Sequence, residues 1–539
     1  MFGRMMHQPL LVSSLICHAA KWHGTTPVVS RTDQETLKPL TWSSVHERAQ
    51  RLAEALVRLG VGCGDRVGTL GWNHHRHLEA YYAIPGMGGV CHTLNPRLFP
   101  PQLAMILRQA GTVGLLVDDS CLPILDAVTE LGVNLSWVVV MGEKKEERPS
   151  RSWHWYDYEE LLSAESGHYD WPQWPEEQAA GLCFTSGTTG NPKGVLYSHR
   201  STVLHAMAVA LPDALGFSAG DSILPVVPLF HANAWGIPHA AALVGAKLVL
   251  PGRWLDGASL YDLCEREQVT FAAGVPTLWR GLMTYLDDHQ LSLHHLRVLG
   301  VGGAACPASL VRYFEQDQGV RVLPGWGMTE TSPVATLMAP KTAQSEFEGE
   351  DRWTWLEGAG RPLFGVDMRL VDDQGQIVPH NGHQSGHLQV RGPWVCEGYW
   401  GQEDSPLEGG WFPTGDVATI DGDGFLRITD RSKDLIKSGG EWISSVQVEL
   451  AAQTHPEVRE AAVIGVPHPR WDERPLLLLV MQEGAGMNPG EMQEYLASRL
   501  VRWWIPEQCL QVAALPYTAT GKVDKVALRQ RYATGTVHP

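Results

Sequence analysis

No stretch of this 539-residue chain strings together the roughly 18 to 20 apolar residues that a helix needs to cross a bilayer. A membrane span is therefore not expected. Cysteine is scarce and scattered: the nine cysteines include no Cys-x-x-Cys pair and no Cys/His spacing suited to zinc, and an odd number fits a disulfide framework poorly. The expected setting is a reducing cytoplasm. Positive charge is also short, with 42 Lys and Arg against 59 Asp and Glu and a formal net charge of -17. Such a surface argues against non-specific nucleic-acid binding, and a polyanionic ligand must be held by local donors rather than by a basic face. No internal repeat is visible. Residues 9–20 look loosely like a secretory apolar core, but Ser13, Ser14 and His18 interrupt the run and Lys21 follows it. They are read as an amphipathic first helix.

What is present, 44% hydrophobic and 19% charged residues, is the composition of a folded globular protein rather than a disordered or fibrous one. At a prior of about 150 residues per domain, the length calls for several structural units. Leu52, Ala53, Ala55, Leu56 and Leu59 recur at helical spacing, and the glycines at 60–64 close that helix. Residues 65–70 then read as a strand, 77–84 as a helix, and 112–117 and 136–140 as strands. The alternation predicts a parallel α/β sheet. His74, His75 and His77 fall at a helix start with no carboxylate or cysteine set beside them, so they are read as capping and packing groups rather than metal ligands. Residues 148–175, rich in Trp, Glu, Ser and Tyr without periodicity, are read as a surface excursion.

The apolar run 181–184 ends in a Gly/Thr-rich stretch where Thr185, Ser186, Gly187, Thr188, Thr189 and Gly190 precede Lys193. Glycines let backbone amides turn toward one point, small hydroxyls add donors, and Lys193 supplies a mobile cation. Those are the parts of a phosphate cradle. It is not the Walker loop, in which Ser or Thr follows the lysine, and a flexible surface loop is the bland alternative. A helix at 198–211 follows, then strand-like runs at 221–227, 246–250, 269–273, 298–301 and 320–324. Several end in distinctive loops: 228–236 with His231 and Trp235; then Gly302, Gly303, Ala304 and Ala305; then Gly325, Trp326, Gly327, Met328, Thr329 and Glu330. Ligands on open α/β sheets collect at C-terminal strand ends, so these loops are expected to line one cleft. Between about 360 and 430, turn signals punctuate short alternating segments and predict a small β-rich subdomain. A charged linker at 430–434 leads to a tail of about a hundred residues, enough for a separate small domain.

Taken in order, the segments 185–194, 228–236, 302–305, 325–331, 414–416, 430–441 and 515–522 resemble those of the acyl-adenylate-forming superfamily, which includes acyl-CoA synthetases, nonribosomal adenylation domains and firefly luciferases. The likeness spans essentially the whole chain. Within the superfamily it is strongest to short- and medium-chain fatty acyl-CoA ligases, the 3-methylmercaptopropionate-CoA ligases of bacterial dimethylsulfoniopropionate breakdown among them. The resemblance implies an N-terminal domain over 1–431, a hinge at 432–434 and a mobile α+β domain over 435–539. It implies that a carboxylate attacks the α-phosphorus of Mg-ATP to give acyl-AMP and pyrophosphate, and that the thiol of coenzyme A then displaces AMP.

The same resemblance distributes the roles. Lys522 would bridge the carboxylate and α-phosphate during adenylation, supplying positive charge where negative charge develops. The loop of residues 185–190 with Lys193 would hold the β- and γ-phosphates, and Thr185 and Glu330 would hold Mg2+, a hard cation suited to oxygen. Asp416 and Arg431 would bind the ribose, while Gly302, Gly303, Ala304 and Ala305, with the stretch from Gly325 through Met328 to Thr329, would flank the nucleotide. Read singly, Asp416 is an ordinary turn carboxylate, Arg431 a linker charge and Lys522 a solvated cation; the joint pattern assigns them. Lys433 matches the hinge, where a few residues absorb a large rotation. For the second step, the face carrying Lys437, Ser438, Gly439, Gly440 and Glu441 would turn in, its glycines letting the pantetheine pass close to backbone. His231 would sit as a gate where acyl chain and thiol meet. Trp235, Gly302 and Trp326 would wall the acyl pocket; bulky indoles favour a small or medium apolar acid, with 3-methylmercaptopropionate foremost, although either ring can equally be core packing. His387 stands where a glutamate is usual, which touches only a local contact. A homodimer is common in the family and is expected here.

Overall fold

A computed structural model describes residues 3–142, 153–185, 192–431, 433–438, 441–518 and 522–532. Strands Arg66–Leu70, Val90–Leu94, Gly114–Asp118, Trp137–Met141, His154–Asp157 and Ala179–Thr185 run parallel in a seven-stranded sheet, and its last member, Lys193–Ser198, turns back antiparallel. A nine-stranded sheet carries Pro27–Arg31, Lys247–Leu250, Ser222–Pro225, Phe271–Gly274, Val298–Val301 and Arg321–Gly327 in parallel at its centre. Most of these strands are short apolar runs buried on both faces, the usual state of a parallel sheet covered by helices.

The expected first helices form at the places the spacing required. Helix Trp42–Arg58 is capped by Thr41, whose hydroxyl accepts from the Ser44 amide at 3.2 Å, and it buries Val45, Ala49, Leu52, Ala53 and Leu56 on one face. Helix His75–Gly86 touches strands of both large sheets and is buried nearly all round. A charge so placed needs partners: Glu79 accepts from Arg48 Nε at 2.7 Å and from the Tyr158 hydroxyl at 2.6 Å. His74 caps the same helix, accepting from the His77 amide at 3.2 Å, and its other ring nitrogen meets Asp118 at 3.0 Å.

Three expectations need correction. Where residues 148–175 were read as a surface excursion, the described part supplies the edge strand His154–Asp157 and helix Tyr158–Ser163. Trp171 and Trp174 lie so close to Gly86 and Gly88 that a Cβ there would stand 2.4 Å from each indole; the aperiodic pattern reflects packing by large rings rather than by a regular face. Gly325, Trp326 and Gly327, read as loop, continue strand Arg321–Gly327 and pair antiparallel with Val334–Leu337, because bare glycines let the strands close to where a Cβ on Gly327 would meet the Pro333 carbonyl oxygen at 1.9 Å. Asp430 and Arg431, assigned to a linker, end strand Leu426–Arg431, held by pairing with Phe412–Ile420.

That hairpin belongs to a five-stranded antiparallel sheet formed by residues 367–431, and a second small sheet follows from Ile436–Ser438 onward, built chiefly on Val458–His468 paired with Asp472–Met481. The protein is thus a mixed α/β molecule with large N-terminal sheets and a smaller C-terminal α+β unit. Strands Ala179–Thr185, Val298–Val301 and Arg321–Gly327 run at their C-terminal ends into the motif loops.

Candidate active site

The Gly/Thr-rich stretch is the tip of a hairpin: Ala179–Thr185 and Lys193–Ser198 pair antiparallel, with Thr185 opposite Lys193. Ser186, Gly187, Thr188, Thr189 and Gly190 lie outside the described residues, as do Gly439, Gly440 and the side chains of Lys437 and Glu441. At the base of the hairpin, Lys193 Nζ stands 4.7 Å over the ring of Tyr399, whose hydroxyl donates to Glu330 Oε1 at 2.9 Å. The Cys396 amide donates to the Glu330 carbonyl at 2.7 Å and the Trp400 amide to the Gly194 carbonyl at 2.8 Å, so residues 396–400 tie the hairpin to the Glu330 loop. Tyr197 adds a bond from its hydroxyl to the Thr329 carbonyl at 2.8 Å. Burial pushes the Glu330 carboxyl up, while the Tyr399 hydroxyl and the Arg431 and Lys193 cations oppose it. Neither tyrosine was singled out from the sequence; an aromatic in a loop carries no local signal of the carboxylate it will meet.

Asp416 sits deeper, 3% exposed, directly across the hairpin from Arg431. Trp326 Nε1 donates to its Oδ2 at 2.9 Å, and Arg431 Nε lies 3.2 Å from its Oδ1. Burial raises this carboxyl, opposed first by Arg431 and then by the indole bond and Lys522. Gly415 beside it has φ +74°, a conformation that favours glycine and aims the carboxylate inward. Gly302 is buried while Gly303, Ala304 and Ala305 form an exposed, nearly side-chain-free lip, Gly303 at φ +79°. Met328 is half-buried and Thr329 buried.

The segment after His231 has a conformation that spacing cannot reveal. Ala232, Asn233, Ala234, Trp235 and Gly236 have φ of 45°, 52°, 46°, 59° and 73°, a left-handed turn made mostly of L-residues. Each non-glycine residue there costs about 1–2 kcal/mol, so the surroundings must hold it. They do so closely: the indole of Trp235 lies 2.9 Å from where a Cβ on Gly302 would stand, and the His205 ring 2.5 Å from that of Gly236. His205 also accepts from the Val334 amide at 3.1 Å. Burial, and then the nearby Lys522 cation, pull the His231 imidazole down to about 4, which keeps it neutral near pH 7. Beside this segment a small cleft is lined by Trp72, Asn73, Phe230 and Arg97, the guanidinium lying 5.7 Å and 5.8 Å from the two rings.

Lys522 arrives from the C-terminal unit. The Thr518 amide donates to its carbonyl at 2.7 Å and its own amide to Thr518 Oγ1 at 3.2 Å, which closes the loop behind it. Burial and the Arg431 cation pull its ammonium down to about 8, against the attraction of Asp416 and Glu330. The structure thereby brings Lys522, His231, Glu330, Asp416 and Arg431 into one electrostatic neighbourhood. Ser438 stays with the C-terminal unit, accepting from Arg474 Nη1 at 3.2 Å and, at its carbonyl, from Trp503 Nε1 at 3.3 Å. Lys433 is exposed, and its carbonyl accepts from Arg529 Nη2 at 3.4 Å. The nine cysteines are free thiols, and no helix among the described residues is long and apolar enough to cross a membrane.

Two lysines and an arginine thus lie within electrostatic reach of two buried carboxylates, a set of charges that can hold anionic ligands. A family model described as AMP-binding enzyme matches residues 17–400, and one described as AMP-binding enzyme C-terminal domain matches 447–522. The chain is 46% identical to a 3-methylmercaptopropionyl-CoA ligase of Ruegeria lacuscaerulensis, with 99% of each chain covered. It is 45% identical to a medium-chain-fatty-acid–CoA ligase of Ectopseudomonas oleovorans, covering 99% of this chain and 98% of the relative. It is equally 45% identical to a long-chain-fatty-acid–CoA ligase of Thermus thermophilus, covering 98% and 96%. The crystal structure of an anthranilate CoA ligase in complex with anthranoyl-AMP superposes with a TM-score of 0.87 at 25% identity over 98% of each chain.

Proposed function

The chain belongs to the AMP-binding enzyme family, and from that premise we propose that it is an acid-thiol ligase joining a short or medium carboxylic acid, 3-methylmercaptopropionate foremost, to coenzyme A. In the first step a carboxylate oxygen bonds to the α-phosphorus of ATP and pyrophosphate leaves. In the second the sulfur of coenzyme A attacks the acyl carbon, AMP leaves, and the thiol proton passes to solvent. The observation that carries the reading is Lys522, set among Asp416, Glu330 and His231.

Each group then has a task. Lys522 offsets the charge of two anions forced together. Lys193 and residues 185–190 hold the departing pyrophosphate, Asp416 and Arg431 the ribose, and Gly302, Gly303, Ala304, Ala305 and the strand Gly325–Gly327 the base. Mg2+ fits an all-oxygen set of Thr185 and Glu330, whose buried carboxylate a divalent cation would relieve; when bound, it neutralises phosphate charge. Binding of Mn2+ in place of Mg2+, followed by electron paramagnetic resonance, should weaken in Glu330→Gln. For the second step, residues 432–434 act as the hinge, and the face of Lys437, Ser438, Gly439, Gly440 and Glu441 replaces that of Lys522. The protein is further proposed to act in the cytoplasm as a homodimer, which sedimentation in solution checks.

Chain length rests on the pocket, because relatives named for medium and long acids are equally similar. What supports a short or medium acid is the Trp235 indole pressed against Gly302. The test is a panel of propionate, butyrate, 3-methylmercaptopropionate, hexanoate, octanoate, palmitate and cinnamate with ATP, Mg2+ and coenzyme A. The shorter acids should give the higher kcat/KM, and Trp235→Ala should move the optimum to longer ones. A wide preference for octanoate, palmitate or cinnamate in the unmutated protein would sink the narrow pocket.

A further inference from the structure

Helix Pro276–His289 begins at the site, where Val275 lies 3.3 Å from the position of a Cβ on Gly303 in the nucleotide lip. One turn along, Arg280 crosses to the C-terminal unit. Its Nη2 donates to Gln453 Oε1 at 2.9 Å and its Nη1 to the Arg459 carbonyl at 3.4 Å. Gln453 ends helix Ser445–Gln453 and Arg459 stands near the start of strand Val458–His468, so one planar fork grips two elements. The next residue, Glu460, attracts the same guanidinium and accepts from the Tyr517 hydroxyl. Tyr517 in turn bridges antiparallel to Val523, and the loop between them carries Lys522. A series of neighbouring groups therefore runs from the nucleotide lip to the loop that carries the lysine. The bond to Gln453 is half-buried and that to Arg459 exposed, and burial draws the Arg280 guanidinium down; a charge-assisted bond in the half-buried setting counts for more than a surface ion pair.

We infer that Arg280 is a positioning residue for acyl-AMP formation: through Gln453, Glu460 and Tyr517 it holds the Lys522 loop in the site, and it releases when the C-terminal unit turns for the thioester step. The inference rests on the two-step reading above, in which Lys522 serves the first step alone. Arg280 reaches across to the C-terminal unit and is assigned to neither reactant, so its contribution is confined to one orientation of the unit. It is a latch with no part in the chemistry of either step.

The test uses the full-length protein in two separate reactions: pyrophosphate release with ATP and acid but no coenzyme A, and thioester formation from supplied acyl-AMP and coenzyme A. Arg280→Ala should slow the first about tenfold, equal to ~1.4 kcal/mol, and leave the second unchanged or faster. Arg280→Lys should recover part of the loss, because the charge stays while the fork is lost. Gln453→Ala should slow the first reaction less, and its effect should not add to that of Arg280→Ala; this variant also serves should the arginine variant fold poorly. A readout independent of turnover is trypsin cleavage within 432–434, faster in Arg280→Ala than in the unmutated protein. Equal slowing of both reactions, no slowing of either, or unchanged cleavage would overturn the latch. Should the unmutated protein make acyl-AMP from no acid, the two-step reading fails and the role in acyl-AMP formation with it, while faster trypsin cleavage within 432–434 in Arg280→Ala would still show that the arginine holds the C-terminal unit.

Discussion

Asp416 and Lys522 face each other with opposite charge, yet the molecule holds them in opposite ways. Asp416 is fixed from within one continuous body: its own hairpin supplies Arg431 at 3.2 Å and the adjoining sheet supplies Trp326 at 2.9 Å. Lys522 comes in on a separate unit, its loop closed by Thr518, and that unit meets the N-terminal sheets through distant contacts such as Arg280 to Gln453 at 2.9 Å. The difference separates recognition from chemistry. On the proposed reading, groups that recognise the nucleotide are built in, whereas the group that drives phosphorus chemistry is delivered and can be withdrawn.

The largest effect should come from removing the delivered group. Lys522→Ala is expected to lower acyl-AMP formation by a factor on the order of 10³, in the range of losing one preorganised charge stabiliser, while thioester formation from supplied acyl-AMP stays near the unmutated rate. Loss of both would erase the distinction. Removing the built-in charge should be smaller and less selective. Asp416→Asn gives up the pair with Arg431 and one charged acceptor, worth roughly 1.5–3 kcal/mol, so kcat/KM for ATP and for acyl-AMP should each fall about 10- to 100-fold. An effect on ATP alone would show that the carboxylate does not serve both steps. The smallest effect is that of pH. The Lys522 ammonium, held at about 8, is charged below that value and neutral above it. The kcat/KM for ATP in acyl-AMP formation should therefore decline as pH rises through about 8, a limb that Lys522→Arg removes or moves upward. Thioester formation from supplied acyl-AMP should lack the limb, and finding it there would contradict delivery for one step.

Sequence and structure meet where one residue and its neighbours suffice. The strand ends, the helix after Thr41 and the motif loops at 302–305 and 325–330 follow from local pattern and from the rule that ligands gather at the C-terminal edge of parallel sheets, whereas Asp416, on an antiparallel hairpin, was assigned only by the joint pattern of motifs. What escaped depends on partners far along the chain. Tyr399 is distant in sequence from Glu330, and Arg280 from Gln453, so nothing local marks either pair. The left-handed turn at 232–236 breaks the preference of L-residues and exists because Gly302 and Gly236 leave room for Trp235 and His205. The strand at 154–157 was hidden because it lies at the edge of its sheet and its burial is only partial, which blurs the alternation that reveals a strand.

The bond from Trp326 to Asp416 has one more consequence, for how such a protein can change over generations. The ring proposed to wall the acid pocket is also a donor to the carboxylate proposed to hold the nucleotide, so one position answers to two selective pressures. Replacing Trp326 to admit a different acid surrenders a hydrogen bond to a buried carboxylate and weakens the hold on ATP for every acid alike. Trp235, whose contact with Gly302 is pure shape, carries no such double duty. Inheritable shifts in acid preference are therefore channelled to Trp235, and Trp326 is left as a position that pleiotropy holds still.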